Sequence, residues 1–306
     1  MYSKTLIAII GPTAIGKTAL SIAFAKAYQT SIISCDSRQF YKEMTIGTAA
    51  PSPEELSEAK HYFIQDRSVR DHLSAGKFEK EALKVLNKLF LDNDCVILVG
   101  GSALYEKTVT EGFHDLPKIP DHIREVIKKN YESKGLTWLK SRVQMTDPEY
   151  YATIDTSNSR RLIRALEVFE TSNSKLSDLQ KASLNERPFN VLKVGLHADR
   201  ELLYERINKR VDHMMANGLL EEAIPLKKLE NQTVKNTVGY QELFPYLDGH
   251  YDLNEAIRLI KRNSRRFAKR QMTWYRKDQS IHWFDFKTRH TEIVQRVSKL
   301  MEKQHS

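Results

Sequence analysis

Gly11-Pro12-Thr13-Ala14-Ile15-Gly16-Lys17-Thr18 fits G-x-x-x-x-G-K-[ST] at every fixed position. It stands between a continuous apolar run, Thr5 to Ile10, and the stretch Thr18 to Tyr28, where Ala19, Ile22, Ala23 and Ala27 recur at helical spacing. Strand, phosphate loop and helix in that order commit the chain to an α/β architecture, because such a strand is apolar on both faces and needs parallel neighbours covered by helices. The eight residues from Gly11 to Thr18 are the expected diphosphate-binding set. Glycines let backbone amides converge on phosphate oxygens, Lys17 adds a point charge, and the Thr18 hydroxyl is the expected ligand for Mg²⁺.

Further strand-length runs follow at Ser31 to Cys35, Cys95 to Val99 and Val191 to Leu196, with a weaker one at Ile281 to Phe284. The fold expected is therefore α/β, a P-loop NTPase-like parallel sheet flanked by helices and assembled from distant segments. From about Leu116 to Arg187 the chain is richer in charge and helical periodicity, between Pro117, Pro120 and Pro188. This predicts an inserted helical subdomain over 116–187, leaving 1–115 with 188–306 as the phosphate-loop core. Helices are predicted at Arg200 to Asn217, Leu219 to Glu230 and Asn254 to about Arg276.

Asp36 follows the second predicted strand, at the sheet edge where ligands of such folds bind. A turn or helix cap is the bland role for an Asp there, and a neighbouring phosphate loop tips the balance toward Mg²⁺ binding or general-base chemistry. Gly100-Gly101-Ser102 follows the third strand, so three strand ends coincide. In Asn158 to Glu170 an apolar stripe leaves Arg160, Arg161 and Arg164 facing elsewhere, a set suited to phosphate contact. No acidic residue occurs from Arg258 through Lys277 among nine cations, and such self-repulsion calls for an anionic partner. Trp274 and Tyr275 at its end are candidates for stacking on a base, with core packing the commoner role.

The 48 Lys and Arg against 39 Asp and Glu, a net charge of +9, agree with a polyanionic partner, nucleic acid first. No apolar run reaches the roughly 18 residues of a membrane helix, and no secretory leader precedes the first strand, so no membrane and a cytoplasmic location are expected. Cys35 and Cys95 are expected to be buried thiols. H-E-x-x-H, C-x-x-C and G-x-S-x-G do not occur, which removes the sequence case for zinc hydrolysis and for a nucleophile elbow.

The phosphate loop, Asp36-Ser37-Arg38-Gln39, Ile46-Gly47-Thr48-Ala49, Gly100-Gly101-Ser102, Arg161 to Val168, Lys209-Arg210-Val211-Asp212, Val238-Gly239-Tyr240 and Arg270-Gln271-Met272-Thr273-Trp274 together resemble, in order and over nearly the whole chain, the bacterial tRNA dimethylallyltransferase family. The resemblance implies transfer of a dimethylallyl group from its diphosphate to N6 of the adenosine just 3′ of the anticodon, with diphosphate leaving. It implies Asp36 as general base and Lys17, Ser102 and Arg210 as further catalytic residues. Contacts to the tRNA anticodon arm are implied at Asp36, Ser37, Arg38, Gln39, Ser102, Arg124, Arg160, Arg161, Leu162, Ile163, Arg164, Thr237, Val238, Gly239, Tyr240 and Gln241, with the helical subdomain closing over the arm. Mg²⁺ is the implied cofactor and a monomer the implied state. Two departures stand out: Ser102 replaces the family's usual Thr, and Asp155-Thr156-Ser157-Asn158-Ser159 replaces its Asn-rich, Pro-containing lead into the arginine helix.

An ATP-dependent kinase is the main competing reading, since a phosphate loop alone is most often an NTP site. Prenyl transfer to free adenine nucleotide fits poorly with so extended a basic surface, and a non-catalytic RNA-binding module leaves Asp36 beside an intact loop unexplained.

Overall fold

The computed structural model describes residues 4–114, 116–181 and 186–305 and divides into two compact units, residues 1–111 with 187–306, and residues 112–186. The expected division at 115/116 involves Asp115, outside the described residues, and the other expected boundary, 187/188, lies one residue from the observed 186/187.

The larger unit is built on six strands: β1 (Thr5–Ile10), β2 (Ile32–Ser34), β3 (His61–Tyr62), β4 (Cys95–Val99), β5 (Asn190–His197) and β6 (His282–Asp285). All pairings are parallel, in the order β3-β2-β4-β1-β5-β6. β1 is central, paired through Ile7 with Ile97 of β4 and Leu192 of β5. Its six residues are all buried, and the pleat divides the middle four between two cores. Leu6 and Ala8 join Ile33, Val96 and Leu98 on one face, whereas Ile7 and Ile9 join Ile32, Ile97 and Leu192 on the other. Only five strands were predicted. The sixth, β3, has two residues and pairs only with β2, too short to show any periodicity.

Among the described residues ten helices accompany the sheet in this unit: α1 (Lys17–Ala27), α2 (Pro53–Glu58), α3 (Ala75–Asp92), α4 (Ala103–Thr110) and, after the insertion, α9 (Arg200–Ala216), α10 (Leu219–Lys227), α11 (Gln232–Lys235), α12 (Tyr240–Leu247), α13 (Leu253–Tyr275) and α14 (His290–His305). Asp252 caps α13 by accepting from the Glu255 amide at 2.8 Å. Lys193 of β5 lies buried among Glu111 and Asp278, each at 2.8 Å, and Glu106 at 3.4 Å. That cluster pins the end of α4 and the turn after α13 to the sheet.

The smaller unit contains α5 (Asp121–Thr146), α6 (Pro148–Thr153), α7 (Ser159–Ser172) and α8 (Leu176–Lys181). Gly135, at φ 72°, breaks α5 in two. Leu139, Val143, Leu162, Ala165, Leu166 and Leu176 form its core. Asp155 replaces the missing proline entry into α7 with a tight turn, accepting from the amide and hydroxyl of Ser157 at 2.9 and 2.6 Å.

Among the described residues no helix is long and apolar enough to cross a membrane, and both cysteines are free and buried.

Candidate active site

β1 ends at Ile10 and α1 begins at Lys17, so the intervening loop must reverse direction within six residues. Gly11 has φ 141° and Gly16 φ 106°; a side chain at Gly11 would also place its Cβ 2.8 Å from the Leu196 carbonyl oxygen. Ala14, at φ 63°, takes the left-handed conformation without being glycine, a cost of about 1 to 2 kcal/mol that neighbouring contacts must offset. Those contacts come from afar. The Thr13 amide donates to Gln271 Oε1 at 2.9 Å, Arg206 Nε donates to the Ala14 carbonyl at 2.9 Å, and Arg210 donates to Thr13 Oγ1 at 3.1 Å. Gln271 also donates to the Gly101 carbonyl at 2.8 Å, so one buried amide from α13 ties the phosphate loop to the segment after β4.

The ends of β2 and β4 open on the same cleft, of about 980 Å³, lined by the loop from Thr13 to Thr18, Asp36 to Gln39, Gly100 to Ser102, Arg210 and residues 236–239 with Gln241. Asp36 Oδ1 accepts from the Arg38 amide at 3.0 Å, which fixes the carboxylate at the start of its turn. The Ser102 hydroxyl accepts from the Ser37 amide and donates to Ser37 Oγ, both at 3.0 Å. Serine in place of threonine thus keeps a bond that stitches the β2 and β4 ends together. Gln39 donates to the carbonyls of Thr48 and Ala49 at 3.2 and 3.0 Å.

Lys17 folds back on the loop, donating to the carbonyls of Gly11 and Pro12 at 3.1 and 2.7 Å. Withdrawal from water lowers its pKa to about 8, Arg210 pushes the same way, and Asp36 opposes both. Arg210 is likewise lowered, by burial first. Two cations thus lie in a cleft that disfavours their charge, and a bound polyanion would reverse that penalty. Burial holds the Cys35 thiol well above its ordinary pKa, so it is no nucleophile. Thr18 and Asp36 offer hard oxygen donors to the cleft, which suits Mg²⁺. No group of three His, Cys, Asp or Glu side chains able to hold a metal occurs among the described residues, so phosphate oxygens and water would complete the sphere.

A family model described as IPP transferase matches residues 39–278, well over half the chain. The chain belongs to the IPP transferase family. It is 51% identical over 93% of its length to a tRNA dimethylallyltransferase of Christiangramia forsetii, covering 94% of that protein, and 48% identical over 95% to one of Flavobacterium johnsoniae, covering 96% of it. Among solved structures it resembles the full-length tRNA isopentenylpyrophosphate transferase of Bacillus halodurans at 34% identity and a TM-score of 0.73, over 99% of this chain and 98% of that one. The sheet is thus of the P-loop NTPase-like class that the sequence predicted.

Within this IPP transferase the predicted site residues of the larger unit line one cleft, except Gly11, Pro12 and Tyr240. Tyr240 is fully buried, its hydroxyl donating to Glu222 at 2.6 Å, so its ring packs the core rather than facing RNA. Tyr275 is 2% exposed and cannot stack on a base, whereas Trp274, 44% exposed, and Phe267 line the cleft. The charge of α13 is also partly answered internally: Arg258 pairs with Glu255 at 2.6 Å and Lys261 with Asp212 at 2.5 Å, leaving Arg266, Lys269, Arg270, Arg276 and Lys277 exposed.

Arg124 and the residues 160–164 belong to the helical unit. Arg160 and Arg161 are exposed on α7, and Arg164 pairs with Glu167 at 3.4 Å. Leu162 is 0% exposed in that unit's core and Ile163 packs against the same core, so the expected contact of Leu162 with tRNA is corrected to a packing role. Sequence reasoning gave no role to Gln271, Arg206 or Glu222. Gln271 lay inside a quoted motif, the one signal that could have singled it out.

Proposed function

We propose that this protein transfers a dimethylallyl group from dimethylallyl diphosphate to N6 of the adenosine 3′-adjacent to the anticodon of tRNA. The observation that carries the reading is the meeting of Lys17, Arg210 and Asp36 in one cleft. The loop amides, Lys17 and Arg210 stabilise negative charge growing on the departing diphosphate, and a preorganised cradle of this kind needs no reorganisation as the carbon–oxygen bond breaks. Asp36 takes the N6 proton while nitrogen bonds to the allylic carbon, which matters because an exocyclic amine is a poor nucleophile. The target base leaves its stack to reach the cleft. The Thr18 hydroxyl, with diphosphate oxygens and water, would hold Mg²⁺, which would supply further neutralisation of the diphosphate charge. Arg38, Gln39, Ser102 and the Thr237 to Gln241 turn contact the extruded nucleotide, and Arg124, Arg160 and Arg161 contact the anticodon arm. The protein acts as a cytoplasmic monomer.

A kinase would use this loop for ATP and hold Mg²⁺ with a carboxylate on a strand end beside it. Here β4, the strand beside β1, ends at Val99 and is followed by Gly100, Gly101 and a hydroxyl tied to Ser37, while the carboxylate of the cleft, Asp36, follows β2, one strand further away. The decisive assay supplies Mg²⁺, labelled dimethylallyl diphosphate and tRNA with adenosine beside the anticodon. Label in tRNA with matching diphosphate release is expected; ATP turnover without label would replace this reading with the kinase. Asp36→Asn should lower the transfer rate by at least about 10²-fold with tRNA binding retained. Near-normal turnover by that variant would remove Asp36 as the base.

A further inference from the structure

We infer that Glu222, outside every motif above, is a positioning residue that locks two walls of the cleft together on the RNA side. Its carboxylate, on the first turn of α10, takes four hydrogen bonds. Oε2 accepts from the amides of Thr45 and Ile46 at 2.9 and 2.8 Å, and Oε1 from the Gly47 amide at 2.9 Å and the Tyr240 hydroxyl at 2.6 Å.

Three consecutive backbone N–H groups converging on one anion form a nest, the arrangement that elsewhere binds free anions. Here the anion is part of the chain. The nest is closed by Tyr240: a Cβ on Gly47 would lie 2.4 Å from Tyr240 Cζ, so only glycine allows the ring this close. The carbonyl side of the same turn is held from within the cleft, Thr48 accepting from Gln39 and Arg210, and Ala49 from Gln39.

The two segments that Glu222 joins both line the cleft, Gly47 to Ala49 on one side and Thr237 to Gly239 with Gln241 on the other. The phosphate loop has anchors of its own in Gln271 and Arg206, and shares Arg210 with the Thr48 turn. Losing Glu222 therefore loosens the nucleotide-facing walls while the diphosphate cradle keeps its supports. The identification of the loosened ligand as tRNA rests on the function proposed above.

The test compares wild type, Glu222→Ala, Glu222→Gln and Tyr240→Phe in dimethylallyl transfer and in amide hydrogen exchange. Glu222→Ala is expected to raise the KM for tRNA about tenfold or more and to change that for dimethylallyl diphosphate by no more than about twofold, because misplaced binding groups cost affinity only where they act. Glu222→Gln, which keeps one carbonyl acceptor, falls between. In Glu222→Ala the amides of Thr45 to Gly47 and of residues 236–241 exchange faster, with the phosphate loop unchanged; Tyr240→Phe speeds exchange in 236–241 but spares much of the nest. An unchanged tRNA KM overturns the proposal, as does exchange that rises everywhere or only in the nest. Should wild type transfer no label to tRNA, the functional reading falls, and the exchange pattern still decides whether Glu222 couples the two segments.

Discussion

Raising the pH through the range where Lys17 loses its proton will weaken diphosphate binding by an amount set by the difference between its free and bound pKa. In the free protein that value is about 8, lowered from the ordinary 10.5 by burial with help from Arg210. A diphosphate in the cradle places negative charge against the ammonium and returns the bound value to at least the ordinary one. Linkage then fixes the sign: the ligand binds the protonated form, so affinity is full below about pH 8 and falls toward tenfold per unit above it. Between about pH 7 and pH 10 the loss sums to roughly 70-fold, or about 2.5 kcal/mol. Arg210 stays charged throughout, since a guanidinium holds its proton. For folding the same shift has the opposite sense. The unfolded chain holds more protons on this lysine between about pH 8 and its ordinary 10.5, so the free protein gains stability from this group as pH rises across that window. Calorimetric titration with inorganic diphosphate, Mg²⁺ omitted to avoid its own hydrolysis, measures the binding term. Lys17→Arg is the control, because its charge does not titrate: its affinity follows only the ionisation of diphosphate itself, and the difference between the two profiles isolates Lys17. A wild-type profile that falls no more steeply than that of Lys17→Arg would refute the linkage to Lys17.

Gln271→Leu removes the amide that serves both Thr13 and Gly101. It should cost about 1 to 3 kcal/mol of stability for the two backbone groups left unpaired and raise the KM for dimethylallyl diphosphate; a thermal melt and a KM both at wild-type values would show the bridge to be idle. Lys193→Met should destabilise by about 3 to 5 kcal/mol, because Glu106, Glu111 and Asp278 lose their shared cation. Burial already holds the Glu106 carboxyl above its ordinary pKa despite Lys193, so acid should restore part of that loss by protonating it, visible in urea melts across pH; a deficit independent of pH would refute that.

What could be read in the chain and what could not divides along covalent distance. The phosphate loop, the β2 and β4 ends and the alternating apolar runs are local patterns, and each is legible because the backbone geometry it dictates involves only its own neighbours. The supports of the site are not local. Gln271 reaches Thr13 across 258 residues, Arg206 reaches Ala14 across 192, and Glu222 reaches Ile46 across 176. All three bond to main-chain groups, which every sequence possesses, so their partners leave no trace in residue identity. Tyr240 shows the converse error. The residues around it line the cleft, but the choice between a ring facing outward and one facing the core was made by Gly47 and Glu222, residues from two other segments. The charged face of α13 follows the same logic: counted along the chain from Arg258 it has no acid, whereas in space Asp212 answers Lys261 from α9. The cations that remain exposed, together with Trp274 and Phe267 at the cleft, are therefore a more selective surface than their number in sequence suggested. The loop binds the diphosphate through groups its own sequence specifies, but its strained Ala14 and its alignment with Asp36 depend on side chains delivered by α9 and α13, so substitutions far along the chain should change catalysis as strongly as those in the motif itself.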